Sequence, residues 1–196
     1  MRGAARPKRP TTRAIKDAGS SNLNDLAQFS TVQTLRDGRR VEIRAQRPQD
    51  REGLREAMGR ASAASLFRRF FHVTRKLSDK EESRFNDVDF VNHVALVVVA
   101  EEEGGRQIVG EAGYFVVKPG QAEVAFGIID AYQRQGLGPA LVRQLTTIAR
   151  AAGLKELIAD VLQENGPMLK VFKRSGLPIR TQLGEDGVIH VTLDLA

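Results

Sequence analysis

Apolar and polar residues alternate along short stretches of this chain of 196 residues, a pattern that predicts β-strands. The longest apolar run, 94–100, has the length of a buried strand and falls well short of the roughly 18 residues of a membrane span. Turn residues separate the stretches, among them Gly104, Gly105 and Gly187. The predicted strands are 41–44, 94–100, 107–117, 122–129, 156–162, 178–183 and 188–195.

A second spacing, with apolar residues three or four positions apart, predicts helices. It is clearest in the stretch 136–152, where Leu137, Leu141, Leu145 and Ile148 recur at this interval. Further helices are predicted at 48–60, from residue 62, from the capping-box pattern at 78–81, and at 167–175.

The order of these elements predicts the fold class. Hairpin-linked strands occupy the middle and the end of the chain, and one strand–helix–strand crossover joins them. This order is typical of an α/β protein of the α+β type with a mixed sheet of about six to seven strands. A doubly wound parallel sheet is not expected.

The formal net charge is +6, from 30 Lys and Arg against 24 Asp and Glu. Residues 1–40 hold nine of the basic residues and three of the acidic ones, so the whole excess belongs to the N-terminal stretch. The remainder is balanced, which argues against a nucleic-acid-binding face. We expect residues 1–38 to form a basic, flexible tail and residues 39–196 to form the folded domain.

Cysteine is absent, which excludes disulfides, thiolate nucleophiles and Cys-ligated zinc. His72, His93 and His190 lack metal-ligand spacing, and no metal is expected. The basic N-terminus has no apolar stretch behind it, as a secretory signal peptide would require. We therefore expect a cytoplasmic protein without a membrane partner.

The most informative stretch lies where strand 122–129 runs through a glycine-bearing turn into a helix. N–H groups at a helix start lack partners within the helix, and the helix dipole adds partial positive charge, so this turn suits a pyrophosphate. Gly136 and Gly138 allow the backbone to approach the phosphates, and Arg134 adds a charge. A Rossmann site would need a third glycine where Leu141 stands, and no hairpin-linked strands before its first βαβ unit.

On the sequence Gln133-Arg134-Gln135-Gly136-Leu137-Gly138, the chain resembles the GNAT superfamily of N-acetyltransferases, whose signature is Gln/Arg-x-x-Gly-x-Gly/Ala. The resemblance spans roughly residues 41–196 and implies a mostly antiparallel sheet with helices on both faces. It implies acetyl-CoA as co-substrate, with the pyrophosphate on the amides of residues 134–138 and pantetheine in a slot between strands 122–129 and 156–162. The residues it assigns to acetyl-CoA are Ile128, Ile129, Gln133, Arg134, Gln135, Gly136, Leu137, Gly138 and Asn165.

Glu123 lies 13 residues before Gly136, on the opposite strand face from its apolar neighbours Ala122 and Val124. A solvated position is the ordinary interpretation of such a glutamate. Its Ala-Glu-Val-Ala-Phe setting is similar to that of GNAT members whose glutamate is the general base, and the resemblance assigns this role to Glu123. A base is needed because a lysine amine, with a pKa of about 10.4, is almost wholly protonated at pH 7.

The resemblance assigns the oxyanion of the reaction to the backbone N–H of Ile128 or Ile129, without choosing between them. Many GNAT enzymes place a tyrosine, as the acid, seven residues after an asparagine. Here Asn165 is followed at that distance by Phe172. We therefore expect no dedicated acid, because a thiol with a pKa of about 8.5 leaves readily as thiolate. Asn165 itself has two equal interpretations, a pantetheine contact and a helix cap.

The upstream half resembles the catalytic domain of Pat-type bacterial protein-lysine acetyltransferases, which acetylate a lysine of acyl-CoA synthetases. Phe90 and Val91 depart from that pattern, which has a tyrosine and an aspartate there. The resemblance implies a protein lysine, in an acyl-CoA synthetase, as acceptor. The stretches that carry it are 35–38, 41–44, 65–71 and 88–97.

Three other functions stay open. An enzyme for small amines would have an enclosed acidic pocket, to which Asp87, Asp89 and Glu123 would contribute. A non-catalytic acyl-CoA sensor is favoured by the missing tyrosine, and nucleic-acid binding would depend on the basic tail. Both a monomer and a homodimer are compatible with the sequence.

Two features of the upstream half are expected to be structural. The aromatic side chains Phe67, Phe70 and Phe71 have helical spacing, which predicts a place in the core, while Arg68 and Arg69 beside them are expected to be solvated. His93 precedes a buried strand and is expected to support it.

Overall fold

Eight strands form one sheet in the computed structural model, which describes residues 23–73, 87–184 and 186–196. The strands are β1 (Ser30–Thr34), β2 (Arg40–Ala45), β3 (His93–Glu102), β4 (Gly105–Lys118), β5 (Gln121–Ile128), β6 (Glu156–Leu162), β7 (Ile179–Leu183) and β8 (Val188–Asp194). Their order across the sheet is β1-β2-β3-β4-β5-β6-β8-β7.

Five helices belong to the described part of the chain. They are α1 (Leu23–Ala27), α2 (Arg51–Arg60), α3 (Ala63–Phe70), α4 (Leu137–Ala151) and α5 (Gly166–Lys173). The helix predicted from the pattern at 78–81 lies outside the described residues. Within the described ranges, no helix has the length and apolar character needed to cross a membrane.

The predicted mixed, mostly antiparallel sheet is confirmed, because every neighbouring pair of strands is antiparallel except β5 and β6. β5 and β6 are parallel because the helix α4 connects them. It returns the chain to the end of the sheet at which β5 begins, so β6 runs in the same direction as β5. The parallel pairing covers only residues 121–123 of β5 against residues 156–158 of β6. Beyond Glu123 the strands separate, and a gap opens beside residues 124–128 of β5.

Helices cover both faces of the sheet, as predicted. Arg69 of α3, which was expected to be solvated, instead forms a partly buried ion pair with Glu111 of β4. Glu111 lies opposite Gly127 of β5. Phe172 of α5 packs edge-on against Phe126, with ring centroids 5.9 Å apart. Phe126 and Gly127 are consecutive in β5, so they face opposite sides of the sheet. Because α3 lies on the side of Gly127 and α5 on the side of Phe126, the two helices cover opposite faces. We call the face that carries Glu111 and Gly127 the α3 face.

The sheet has one strand more than the upper expectation, and that strand is β1. It pairs with β2 from Ser30 opposite Arg44 to Thr34 opposite Arg40, so the folded part begins inside the segment 1–38 expected to be a tail. The pattern missed it because its sequence, Ser-Thr-Val-Gln-Thr, is almost wholly polar and lies at the sheet edge, where no residue is fully buried. Residues 1–22 lie outside the description.

The prediction for the aromatic side chains of α3 is wrong in part. Leu66 is buried, but Phe67 is 37% exposed and Phe71 is 39% exposed. The helix packs on the sheet along one side only, and it ends at Phe71, whose φ of 64° breaks the helical path. The side of α3 that carries Phe67 therefore remains on the surface.

Candidate active site

The glycine-bearing turn after β5 presents a row of unpaired backbone donors. Arg134 has a φ of 59° and Gly136 a φ of 95°, and this left-handed geometry turns successive N–H groups to one side. Among the described residues, the N–H groups of residues 134–138 have no hydrogen-bond partner. They stand at the start of α4, where the helix dipole adds positive potential. Such an arrangement of donors suits a phosphate or pyrophosphate.

Neighbouring elements hold this turn in place. The N–H of Arg36 donates to the carbonyl oxygen of Gln135 at 3.2 Å, and its guanidinium donates to the carbonyl oxygen of Arg134 at 3.3 Å. A Cβ on Gly138 would lie 3.2 Å from a methyl group of Val171 in α5, so a glycine allows the two helices to approach closely.

The side chain of Gln133 points back toward the sheet. Its Nε2 donates to the carbonyl oxygen of Ile128 and to the hydroxyl of Ser65, each at 2.9 Å. The hydroxyls of Ser62 and Ser65 donate to the carboxylate of Asp130 at 2.8 and 3.0 Å. Burial alone would raise the pKa of Asp130, but the hydrogen bonds from Ser62 and Ser65 hold it below its ordinary value. Sequence reasoning missed this network, which joins α3 to the turn, because its serines are far from the turn in sequence.

The gap between β5 and β6 is lined by backbone groups of β5. The N–H of Ile129 donates to the carbonyl oxygen of Val109 at 3.0 Å and is therefore already in use. Along an antiparallel strand, successive residues direct their N–H groups to opposite sides. The N–H of Ile128 therefore faces the gap, as does that of Phe126. With respect to the described residues, Ile128 is the one of the two oxyanion candidates whose N–H is free, and Phe126 is a further donor that the sequence did not indicate.

Glu123 lies where the gap begins. It is the last residue of β5 that pairs with β6, opposite Ile158, and its other neighbour is Phe115 of β4. The side chain is partly exposed, and it forms no hydrogen bond or ion pair with the described residues. It is four residues from Gly127 on one strand, so both belong to the α3 face. Glu123 is thus a carboxylate on that face without a partner in the described part of the chain.

Asn165 and Phe172 sit in and beside α5. The side-chain oxygen of Asn165 accepts from the N–H of Met168 at 3.3 Å, which is the helix cap, one of its two interpretations from the sequence. Its amide nitrogen has no partner among the described residues, so the cap leaves a donor free. Phe172 is 1% exposed and packs on Phe126, so this position supplies core volume.

An apolar cleft separates α2 and α3 from strands β4 and β5. The backbone of Gly127 and Ile128 forms part of its wall, and the ion pair between Arg69 and Glu111 supplies its charged groups. The other side chains that line it are mostly apolar: Leu54, Ala57, Met58, Ala61, Leu66, Phe70 and Ile129, with Ser65.

His93 is a buried support, as expected. Its Nδ1 lies 3.0 Å from the carbonyl oxygen of Asp87, and its ring stacks on Phe115 with a centroid distance of 4.0 Å. Burial lowers the pKa of His93 below its ordinary value, which favours the neutral ring. Within residues 23–73, 87–184 and 186–196, no group of three His, Asp or Glu side chains is arranged to hold a metal ion.

The fold and the site define a protein with a glycine-bearing turn of unpaired amides at a helix start, beside a sheet that splits between two parallel strands. A family model described as an acetyltransferase (GNAT) domain matches residues 40–178. The chain therefore belongs to the GNAT family and is an acetyl-CoA-dependent acetyltransferase, as the signature at residues 133–138 predicted.

Similar proteins include Pat-type enzymes. Acetyltransferase PA5475 of Pseudomonas aeruginosa is 35% identical over 127 residues, which cover 64% of this chain and 68% of that protein. Acetyltransferase Pat of Mycolicibacterium smegmatis is 32% identical over 128 residues, or 63% of this chain and 37% of that longer protein. The predicted likeness to Pat-type enzymes is thereby confirmed.

Two solved structures have a similar fold. The crystal structure of the GNAT domain of S. lividans PAT has a TM-score of 0.74 and 32% identity, covering 84% of this chain and 96% of that one. The structure of yncA from Salmonella typhimurium, described as a putative acetyltransferase with its cofactor acetyl-CoA, has a TM-score of 0.65 at 19% identity, covering 80% and 94%. The second likeness concerns the fold alone.

Proposed function

We propose that this enzyme transfers the acetyl group of acetyl-CoA to a lysine amine of a protein, and that the protein is an acyl-CoA synthetase. The observation that carries the proposal is the course of β5, which runs from the carboxylate of Glu123 near its start, past the gap beside residues 124–128, to the unpaired amides of residues 134–138 beyond its end. The similarity to Pat proteins supports a protein acceptor.

Acetyl-CoA binds with its pyrophosphate on the amides of residues 134–138 and its pantetheine arm in the gap. The amide nitrogen of Asn165 is available to the arm. The thioester carbonyl accepts from an N–H that faces the gap, either that of Ile128 or that of Phe126. Such a donor stabilises the oxyanion that forms during attack.

Glu123 is the general base of the proposal. At about 3.3 Å per strand residue, it lies about 10 Å along β5 from Phe126 and about 16 Å from Ile128. A glutamate side chain does not span either distance alone, so the proton reaches it through water. The shorter distance favours the N–H of Phe126 as the oxyanion donor.

The leaving thiolate needs no side-chain acid in this scheme. Phe172, where many GNAT enzymes have tyrosine, is buried and carries no hydroxyl group. A thiol with a pKa of about 8.5 leaves as thiolate at a cost of a couple of kcal/mol at pH 7 and takes its proton from water.

A small-amine acceptor, the alternative, loses part of its support. The acidic pocket expected for it included Asp89, but one oxygen of that carboxylate accepts from the N–H groups of Val91, Asn92 and His93, each at 2.8 Å. These hydrogen bonds outweigh burial and hold the pKa of Asp89 below its ordinary value. Asp89 therefore stabilises its own turn, and less charge remains to bind a free amine.

The test is thiol release from acetyl-CoA with a purified acyl-CoA synthetase as acceptor, beside a panel of free amines. We expect release with the synthetase that disappears when its catalytic lysine is replaced. Release with free amines only would assign the enzyme to small molecules. Acetyl-CoA binding without release in either assay would leave a sensor.

A further inference from the structure

A second carboxylate lies on the α3 face, beside the backbone segment that would hold the thioester. Glu111 of β4 is directly opposite Gly127 of β5. A Cβ built on Gly127 would lie 2.8 Å from Oε1 of Glu111, so the carboxylate lies directly over the Gly127 backbone. Gly127 stands between Phe126 and Ile128, whose N–H groups face the gap. Glu111 is therefore much nearer to these donors than Glu123 is.

Arg69 holds this carboxylate in place. Its Nε donates to Oε1 of Glu111 at 2.7 Å, and the two side chains are 22% and 16% exposed. The second oxygen, Oε2, has no hydrogen-bond partner among the described residues. A shielded carboxylate oxygen without a partner is ready to accept from a cationic donor.

The surroundings indicate which cation fits. The cleft around Glu111 is lined by apolar side chains, including Leu54, Leu66 and Phe70. A long primary amine such as lysine combines a methylene stem, which packs on apolar surface, with an ammonium group, which needs a carboxylate. A short polar amine would gain only the second contact.

We propose that Glu111 binds the ammonium group of the acceptor through Oε2 and so brings its nitrogen to the thioester. Arg69 is a positioning residue that holds the carboxylate over Gly127. This inference rests on the proposed function, in which Glu123 removes the proton through water. The two glutamates then divide the work: Glu111 binds the acceptor and Glu123 serves the chemical step.

The experiment measures binding of two CoA thioethers to the full chain by calorimetry. One carries an N-butylaminoethyl group on sulfur, whose nitrogen is protonated at pH 7, and the other has carbon in place of that nitrogen. We expect the wild type to bind the cationic thioether about tenfold more tightly or better. Glu111→Gln should bring the ratio to about one while the affinity for CoA stays unchanged, and Glu111→Asp should restore part of it. In Glu123→Gln most of the preference should remain.

Several outcomes would overturn the inference. One is a preference for the cationic thioether that is equal in the wild type and in Glu111→Gln. Another is a preference that Glu123→Gln removes and Glu111→Gln does not. Glu156→Gln is the matched control, because it also removes a carboxylate paired with an arginine, Arg180, at 2.6 Å on another part of the sheet. Thermal unfolding of each variant checks the fold. Binding needs no turnover, so the inference can be judged even if the enzyme proves to acetylate free amines and no protein.

Discussion

The side-chain amide of Gln133 donates to the carbonyl oxygen of Ile128 at 2.9 Å. This contact ties the glycine-bearing turn to the end of β5, where the N–H of Ile128 faces the gap. The same amide donates to Ser65 of α3. One side chain thus joins the turn, the strand and the helix that borders the apolar cleft.

Replacement of Gln133 by alanine should weaken acetyl-CoA binding. Loss of two hydrogen bonds, each worth about 1 kcal/mol, leaves the turn less ordered, and we expect the Kd for acetyl-CoA to rise about tenfold. Calorimetry with acetyl-CoA measures it. Gln182→Ala, on the edge strand β7, is the control and should not change the Kd. An unchanged Kd in Gln133→Ala would mean that the turn is held without this side chain.

Replacement of Glu123 by glutamine should lower kcat by a factor on the order of 10² or more and leave acetyl-CoA binding intact, because it removes the base and keeps the shape. Steady-state thiol release and calorimetry measure the two quantities. Glu103→Gln, in the exposed β3–β4 turn, should behave as the wild type. A kcat for Glu123→Gln equal to that of the wild type would remove Glu123 from the mechanism.

Replacement of Gly136 by alanine should cost stability and affinity together. A Cβ there meets no atom within 4 Å, so the cost comes from the φ of 95° and is about 1–2 kcal/mol. Gly105, with a φ of 98° and equally open space, is the matched control at the β3–β4 hairpin. Chemical denaturation should show similar losses for both alanine variants, while only Gly136→Ala raises the Kd for acetyl-CoA. A raised Kd in both would point to a global effect.

The buried ion pair between Arg44 and Asp50 should make stability depend on acid pH. The two side chains are joined by two hydrogen bonds of 2.7 Å and are 8% and 7% exposed. Burial would raise the pKa of Asp50, but the hydrogen bonds from Arg44 and from the N–H of Arg47 outweigh it and lower the pKa below its ordinary value. A carboxylate whose pKa is lowered by folding stabilises the folded state at pH values above its pKa in the unfolded chain, which is about 3.9. This stabilisation is lost as the pH falls through the lower pKa of the folded state.

Asp50→Asn should therefore lower the free energy of unfolding at pH 7 by about 3 kcal/mol, because Arg44 is left buried without its partner charge. The difference from the wild type should shrink as the pH is lowered below about 4. Urea unfolding between pH 3 and pH 7 measures it. A difference that stays constant over this range would mean that the charge of Asp50 is not what stabilises the fold.

The two tyrosines should respond in opposite ways to loss of the hydroxyl. Tyr114 is 2% exposed, its hydroxyl has no partner among the described residues, and burial raises its pKa to about 12. Tyr132 is as buried, but its hydroxyl donates to Glu102 at 2.9 Å. Tyr114→Phe should raise the free energy of unfolding by about 1 kcal/mol, and Tyr132→Phe should lower it by about 1 kcal/mol. Urea unfolding of both variants measures this, and a loss in Tyr114→Phe would indicate a missed partner.

The sequence by itself determined the features that depend on local spacing. Alternating or continuous apolar residues predicted β2 through β8, and the apolar interval of three to four residues predicted α4. The signature at residues 133–138 predicted a turn with several free donors, because the donors of a helix start are consecutive along the chain. The family follows from the same residues.

Tertiary structure decided what depends on contacts between distant segments. β1 has no apolar pattern, and its place follows only from pairing with β2. Ile128 and Ile129 are equivalent in sequence, but the hydrogen bond to Val109 leaves one N–H free and occupies the other. Glu111 gave no signal, because its position over Gly127 and its pair with Arg69 join three separate segments. A local pattern shows which donors and carboxylates a segment carries. Whether such a group remains free to react depends on the partners that folding brings to it.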